Sequence, residues 1–269
     1  MGKYYDKNNR RLVYTGHKSD SNFWDDHWEI GDYKSYIESN MRYNYVSAIT
    51  KRFLPAGSNI LEGGCGLGSN VAALQYRGYN AYGVDYANKT ISKVNKLFPE
   101  LKVLFGDVTK LDFEDNFFDG YWSLGVIEHF YDGFEPVVRE MLRVLKPGGF
   151  AFITCPVLSP LRRLKACLRK YPSYHSEETD GSDFYQFALN SKYVTDVFSA
   201  NGFKQVKVSG YDGVKGLKDE IALLRPLLQP LYVSKFLPLR VFKKLLDIPL
   251  RNVSGHCSLF IFKKYENVN

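Results

Sequence analysis

Residues 60–70 read ILEGGCGLGSN and place four glycines between positions 63 and 68. Glycine loses more conformational freedom on folding than any other residue, so such a cluster is costly unless the backbone must turn tightly or be approached closely. An apolar pair leads in, an acid stands before the glycines, and SNVAALQYR follows with helical composition. The reading is strand, glycine loop, helix. In an open parallel sheet, ligands bind beyond the carboxyl ends of the strands, and the helix after the loop directs its free N–H groups at an electron-rich group.

The rest of the chain fits this frame. NILEGG, NAYGVD, KVLFGD, FDGYWSLGV and GFAFITC read as five strands. Between them lie SNVAALQYR, stopped by Gly78, and NKTISKVNKLF, with Ile91, Val94 and Leu97/Phe98 at helical spacing. FEPVVREMLRVL follows as an amphipathic helix ended by KPGG, where Gly148 and Gly149 serve only the turn. Strands alternating with helices imply right-handed crossovers and a mostly parallel sheet covered on both faces.

After Cys155 the rhythm breaks. Residues 156–190 hold PLRRLKACLRKYP, the polar HSEETDGSD and FYQFALN; SKYVTDVFSANGF is a helix and FKQVKVSG a sixth strand. Residues 211–252 read as a long irregular stretch with Pro226, Pro230, Pro238 and Pro249, before the last strand, HCSLFIFKK. Residues 23–53 look helical. The expected organisation is a helical lead-in or cap over 1–55 and an α/β domain over 56–269, with lid insertions at about 156–190 and 211–252.

A formal charge of +7 suits anionic partners (nucleic acid, phosphates, a membrane surface) or simply solvated lysines. Cys65, Cys155, Cys167 and Cys257 are scattered, as reduced thiols would be, and form neither a disulfide framework nor a zinc motif. The first residues lack the apolar core of a signal peptide, and no uncharged apolar run approaches the ~18 residues of a membrane span. A cytoplasmic location is expected.

Two nucleoside ligands compete for the glycine loop. Gly64, Gly66 and Gly68 give G-x-G-x-G, with Ser69 where a dinucleotide fingerprint wants its third glycine or alanine, and Glu62 suits a positively charged ligand better than a pyrophosphate. Asp85 ends the second strand, placed to accept from two ribose hydroxyls. Asp107 ends the third, where a carboxylate can accept from an exocyclic amino group, and the Val108 N–H can meet a ring nitrogen. Asp107 as a mere turn cap is the competing reading.

The stretches LEGGCGLGS, GVDYA, GDV, FDGYWSLGVIEHF and LRVLKPGGFAFI, in that order and spacing, make the chain resemble the class I S-adenosylmethionine-dependent methyltransferases, particularly their small-molecule branch. The resemblance covers about residues 59–155 and the terminal FIFKK strand. It implies a doubly wound, seven-stranded, mostly parallel sheet whose last strand is antiparallel, with S-adenosylmethionine as cofactor and S-adenosylhomocysteine as product. By position, Glu62 and the backbone of Gly63, Gly64, Cys65, Gly66 and Gly68 would hold the methionine part, Cys65 being a small loop residue without chemistry. Asp85 with Tyr86 would hold the ribose, Asp107 with Val108 the adenine, and Ser123 and Leu124 would lie beneath the sulfonium.

A sulfonium is already a strong methyl donor, so the protein's main task is alignment. A hydroxyl acceptor also needs a general base, for which Glu128 and His129 are the candidates just after the fourth strand. Many relatives carry an EH pair there for architecture or cofactor shielding. Gly125 stands where metal-binding relatives place an additional acid, so no metal is expected. His27, His175 and His256 are isolated and read as surface or packing residues. Trp24 and Trp28 either shield the sulfonium or pack against the sheet.

Both insertions should rise from the cofactor rim as a lid. PLRRLKACLRKYP and LYVSKFLPLRVFKKLLDIPLR join cations to apolar residues, which suits a small-molecule acceptor that is amphiphilic, phosphorylated or glycan-bearing. It equally suits weak contact with a lipid headgroup layer at the inner membrane face, or an ordinary lid or dimer face. The alternatives to small-molecule transfer are an RNA- or nucleic-acid-modifying methyltransferase and a cofactor-binding protein without turnover. SLGVIEHF lacks the Asn/Asp-Pro-Pro-Tyr/Phe element of enzymes that methylate base amines, which counts against nucleic acid as a partner.

Overall fold

The computed structural model describes residues 2–42, 44–175 and 181–266; most of the polar HSEETDGSD stretch lies outside them. Beyond an N-terminal segment, the chain runs β3 (Asn59–Gly63), α4 (Ser69–Tyr76), β4 (Asn80–Asp85), α5 (Asn88–Leu97), β5 (Val103–Phe105), β6 (Phe118–Leu124), α6 (Glu135–Val144) and β7 (Leu145–Pro156). It continues through α7 (Pro160–Cys167), β8 (Phe184–Ala188), α8 (Ser191–Ala200), β9 (Phe203–Tyr211) and β10 (Cys257–Lys264). The strands order as β5-β4-β3-β6-β7-β10-β9. Pairings from β5 through β7 are parallel, and β10 runs antiparallel to both neighbours. This is the doubly wound seven-stranded sheet expected from the sequence.

Side chains alternate along β6, so Tyr121 enters one core layer and Trp122 the other. On the Trp122 side the indole stacks on Phe152 at 4.5 Å and donates from Nε1 to Thr50 Oγ1 at 2.9 Å. Opposite, Val137, Val138, Met141 and Val144 of α6 are buried at helical spacing. The KPGG stop is not a loop: α6 passes directly into β7, whose first residues already carry strand backbone.

Two expectations are corrected. Residues 2–15 are not helical; β1 (Gly2–Asp6) and β2 (Arg11–Thr15) form a hairpin whose second strand pairs with β8 in a separate three-stranded sheet. Helices α1 (Ser21–His27), α2 (Tyr33–Met41) and α3 (Tyr45–Thr50) follow. Residues 211–252 are largely helical rather than irregular, as α9 (Gly213–Glu220), α10 (Arg225–Val233) and α11 (Leu237–Ser254). Pro226 and Pro238 occupy the first turns of α10 and α11, where the missing N–H would have no partner anyway. Pro230 and Pro249 sit inside these helices, against the usual preference.

A buried ionic cluster ties the small sheet to the insertions. Arg162 of α7, 1% exposed, donates from Nε to Glu220 Oε1 at 2.9 Å and from Nη1 to the Val157 carbonyl at 2.7 Å. Glu220 also accepts from Lys165 Nζ (2.8 Å), from the Tyr171 hydroxyl (2.6 Å) and from Lys3 of β1. Burial alone would raise its pKa, but the charge of Lys3 and the hydrogen bonds from Lys165, Lys3 and Tyr171 hold the carboxyl well below the usual range. The stabilisation is therefore present above the ordinary carboxylate pKa and is lost as pH falls through the depressed one. Glu220→Ala leaves Arg162 buried without its counter-charge and should cost about 3 kcal/mol at neutral pH. In denaturant titrations the gap from the native protein should narrow on acidification.

Candidate functional site

The glycines are required by backbone and space together. Gly64, Gly66 and Gly68 have φ of +77°, +50° and +69°, the left-handed region that side chains disfavour. A Cβ on Gly66 would lie 2.6 Å from the Trp28 ring, and one on Gly64 would strike Val126. The loop is held from below by Asp85. Its Oδ2 accepts the Gly66 N–H at 2.8 Å and its Oδ1 the Ala87 N–H at 2.9 Å. Burial pushes this carboxyl upward while the N–H groups of Ala87, Gly66 and Tyr86 pull it down. Three N–H groups on about four lone-pair sites leave the carboxylate acceptor capacity for a ligand.

A cavity of about 730 Å³ opens above the strand tips. The strand ends supply Asp85 and Leu124, the turns just after them Gly64, Tyr86, Asp107 and Val108, and the segment after β6 Glu128 and His129. Trp24 and His27 come from α1 and Trp28 from its C-cap, and Tyr185 and Gln186 from β8. The lead-in tryptophans thus line the cavity. Their position follows from Asp25, a residue the sequence reading missed. Helix α5 begins after Ala87, which has no side chain to cap it. The buried Asp25 of α1 accepts instead from the Thr90 N–H at 2.9 Å and the Thr90 hydroxyl at 3.0 Å. The only sequence signal was an uncapped helix start, and the capping acid lies about sixty residues away. The Tyr86 hydroxyl adds a second tie, donating to the Ser19 carbonyl at 2.7 Å.

The remaining residues singled out by sequence do not line this cavity. Gly63 admits the Tyr121 hydroxyl beneath the loop, and Gly66 and Gly68 shape the loop from behind. The Cys65 thiol packs against Gly83 in the core, where burial pushes its pKa well above the thiol range. Glu62 accepts from Asn70 Nδ2 at 2.6 Å, and burial raises it to about 8. Glu62 Oε2, Ser123 Oγ and Glu128 Oε2 are buried with no hydrogen-bond partner among the described residues.

Glu128 and His129 occupy a 3₁₀ turn, Ile127–His129, and differ in character. His129 Nδ1 lies 2.7 Å from the Tyr185 carbonyl, which can only accept, so the neutral ring carries its proton on Nδ1 and offers a lone pair at Nε2. The Trp24 ring meets it edge-on at 5.0 Å. Burial lowers the imidazole to about 4, outweighing the opposing pull of the Tyr185 carbonyl. Burial raises Glu128 to about 8, close to the pH at which a base works best.

A second cavity, about 890 Å³, shares Leu124 and Gly125 with the first. Asn44, Tyr45, Tyr211, Lys244 and Arg251 are among its walls. The two insertions therefore divide their labour: β8 closes the first cavity and α11 the second.

Comparison with known proteins adds the following. Residues 61–153 match the family model described as Methyltransferase domain. The chain is 31% identical over 144 residues to a 2-methyl-6-phytyl-1,4-hydroquinone methyltransferase of Synechocystis, covering 49% of this chain and 45% of that one. It is 32% identical over 123 residues to the sterol 24-C-methyltransferase of Schizosaccharomyces pombe, covering 43% and 32%. The chain thus spans half or less of the length of these curated relatives. Among solved structures, phosphoethanolamine N-methyltransferase 2 of Haemonchus contortus, in complex with S-adenosyl-L-methionine, superposes with a TM-score of 0.51 at 22% identity, over 87% of this chain and 56% of that one. At that identity the likeness concerns the fold.

Two outcomes follow. Asp25→Ala removes the cap on α5 and should cost about 1 kcal/mol in chemical denaturation; quenching by acrylamide should show Trp24 and Trp28 more exposed. Glu128 favours its protonated form when folded, so its penalty grows as pH rises from the ordinary glutamate value toward 8. Glu128→Gln should match the native protein in thermal unfolding near pH 5. Above pH 8 it should be more stable by at least about 1.4 kcal/mol, the worth of one pKa unit.

Proposed function

We propose that this chain, which belongs to the class I S-adenosylmethionine-dependent methyltransferases, moves a methyl group from S-adenosylmethionine to an oxygen or nitrogen of a small amphiphilic acceptor and releases S-adenosylhomocysteine. One observation carries the reading: a left-handed glycine loop, Asp85 and Asp107 stand at the tips of three neighbouring strands around one 730 Å³ cavity. That volume falls within the roughly 300–1,000 Å³ of small-molecule sites.

The residues suit the cofactor. Asp85 keeps acceptor capacity for a ribose hydroxyl, and among the described residues the exposed Asp107 side chain is engaged only by the Thr109 N–H at 2.8 Å, leaving acceptor capacity for an amino group. The first turn of α4 has no side-chain cap, so its N–H groups are free for a carboxylate. The unpartnered Glu128 Oε2, on a residue of the cavity wall, suits a cationic ligand better than an anionic one. Trp24 and Trp28 offer aromatic faces to a positive centre. When bound, the cofactor supplies a methyl group already activated by its sulfonium.

The protein's own part is alignment and proton handling. Glu128 takes the proton that a hydroxyl acceptor must lose as the new bond forms, and the His129 imidazole, neutral and fixed by Tyr185, keeps the cavity wall closed to water. The acceptor lies in the second cavity, reaching the donor across Leu124 and Gly125. Lys244 and Arg251 there suit a phosphate, carboxylate or glycan-linked polar group, and Tyr45 and Ile248 its apolar body. Named relatives acting on a phytyl hydroquinone and a sterol support an amphiphilic acceptor, which a peripheral protein would meet at a membrane face.

Asp107→Ala should weaken S-adenosylhomocysteine binding by about tenfold in calorimetry, in line with the loss of a charged hydrogen bond, without lowering the melting temperature of the free protein. Asp85→Asn, which keeps one loop contact, should weaken it too. Unchanged affinity in both variants removes the cofactor assignment. Release of S-adenosylhomocysteine on incubation with lipids, phenols and sugars identifies the acceptor; release with oligonucleotides alone would overturn the small-molecule reading.

A further inference from the structure

Helix α11 is built inside out. Its inward row is polar: Lys243 pairs with Asp247 at 3.1 Å, Asp247 Oδ1 accepts the Val214 N–H at 2.8 Å, and the Ser254 hydroxyl donates to the Gly213 carbonyl at 2.8 Å. Its outward row is apolar: Leu237, Val241 and Leu245 recur at helical spacing and are 67%, 48% and 61% exposed. The helix cannot simply be rotated to bury them. Gly213 and Gly216 let its backbone lie directly on α9, and a Cβ on Gly216 would collide with the Ser254 carbonyl. The preceding segment extends the apolar face through Leu227, 73% exposed, and Phe236, 65% exposed.

Charge says what covers this face. Residues 221–254 hold six cations, Arg225, Lys235, Arg240, Lys243, Lys244 and Arg251, against one acid, Asp247, which is turned inward. Lys235 and Arg240 flank the apolar stripe, and Lys244 and Arg251 continue this basic edge to the rim of the second cavity; none has an acidic partner among the described residues. A second copy seated on this face would set like charges against each other. A layer of anionic headgroups over acyl chains complements both rows at once, with the long cationic stems lying along the apolar surface. Among the described residues no helix is long and apolar enough to cross a membrane, so contact is in the plane of the surface.

We propose that α10 and α11 form a docking face for anionic lipid, with α11 lying at the headgroup boundary. This goes beyond the transfer reaction and does not depend on it, because vesicle binding is measured without turnover. The full chain is sedimented with phosphatidylcholine vesicles, with and without phosphatidylglycerol, at low and high salt. Pelleting is expected with phosphatidylglycerol at low salt, falling as salt rises. Leu237→Asp/Leu245→Asp should weaken it on the order of tenfold or more. Arg240→Gln/Lys235→Gln should weaken it and flatten the salt dependence. Both pairs are exposed, and an unchanged melting temperature shows that the variants fold. Failure of the native chain to pellet at low salt, equal binding to phosphatidylcholine alone, or full binding by the aspartate variant overturns the proposal. So does a concentration-dependent dimer in analytical ultracentrifugation that the aspartate pair abolishes while vesicles bind neither form.

Discussion

The cleft depends on one buried carboxylate. Asp85 grips the Gly66 and Ala87 N–H groups, thereby fixing both the glycine loop and the start of α5. A backbone with three left-handed residues has little intrinsic reason to hold one shape. Here it is bound from below by Asp85 and packed from above by Trp28 and Val126. The same acid also faces the cavity. Shaping the loop and meeting a ligand are thus properties of one side chain, and a substitution there cannot separate them cleanly.

Around this centre, distant parts of the chain converge. The α1 helix is anchored to α5 through Asp25, β8 holds His129 through the Tyr185 carbonyl, and the Glu220 cluster joins β1, α7 and α9. Each link is a buried or half-buried charge or hydrogen bond, costly to break because its partner would be left without water. The roof over the cleft is therefore assembled from pieces remote in sequence. What they share is a polar contact to the sheet domain.

The central fold was legible because its signals are local. Strand and helix periods, the glycine loop and the acids at strand ends each occupy a few consecutive residues, and their order determines the sheet. What stayed hidden was non-local or inverted. The pairing of Leu12 with Ala188 leaves no mark in either segment alone. Asp25 caps a helix it precedes by more than sixty residues. Prolines suggested an irregular 211–252, although two of them stand in first helical turns. In α11 the polar row faces the protein, so the usual equation of apolar with inside points the wrong way. At the site, sequence placed Asp85, Asp107, Glu128 and His129 near one another. It could not show that Glu62 and Ser123 stop short of the cavity wall or that burial makes Glu128 a better proton acceptor than His129.

The small antiparallel sheet has a consequence for the order of events during synthesis. Its first two strands are translated before any strand of the large sheet, yet the strand that completes it follows only after the first five strands of that sheet. Until then the hairpin has an open edge, and isolated hairpins are marginal in water. The emerging polypeptide must carry that unfinished edge through the synthesis of those five strands, which makes the interval before residue 188 leaves the ribosome an exposed stage for mispairing or chaperone capture.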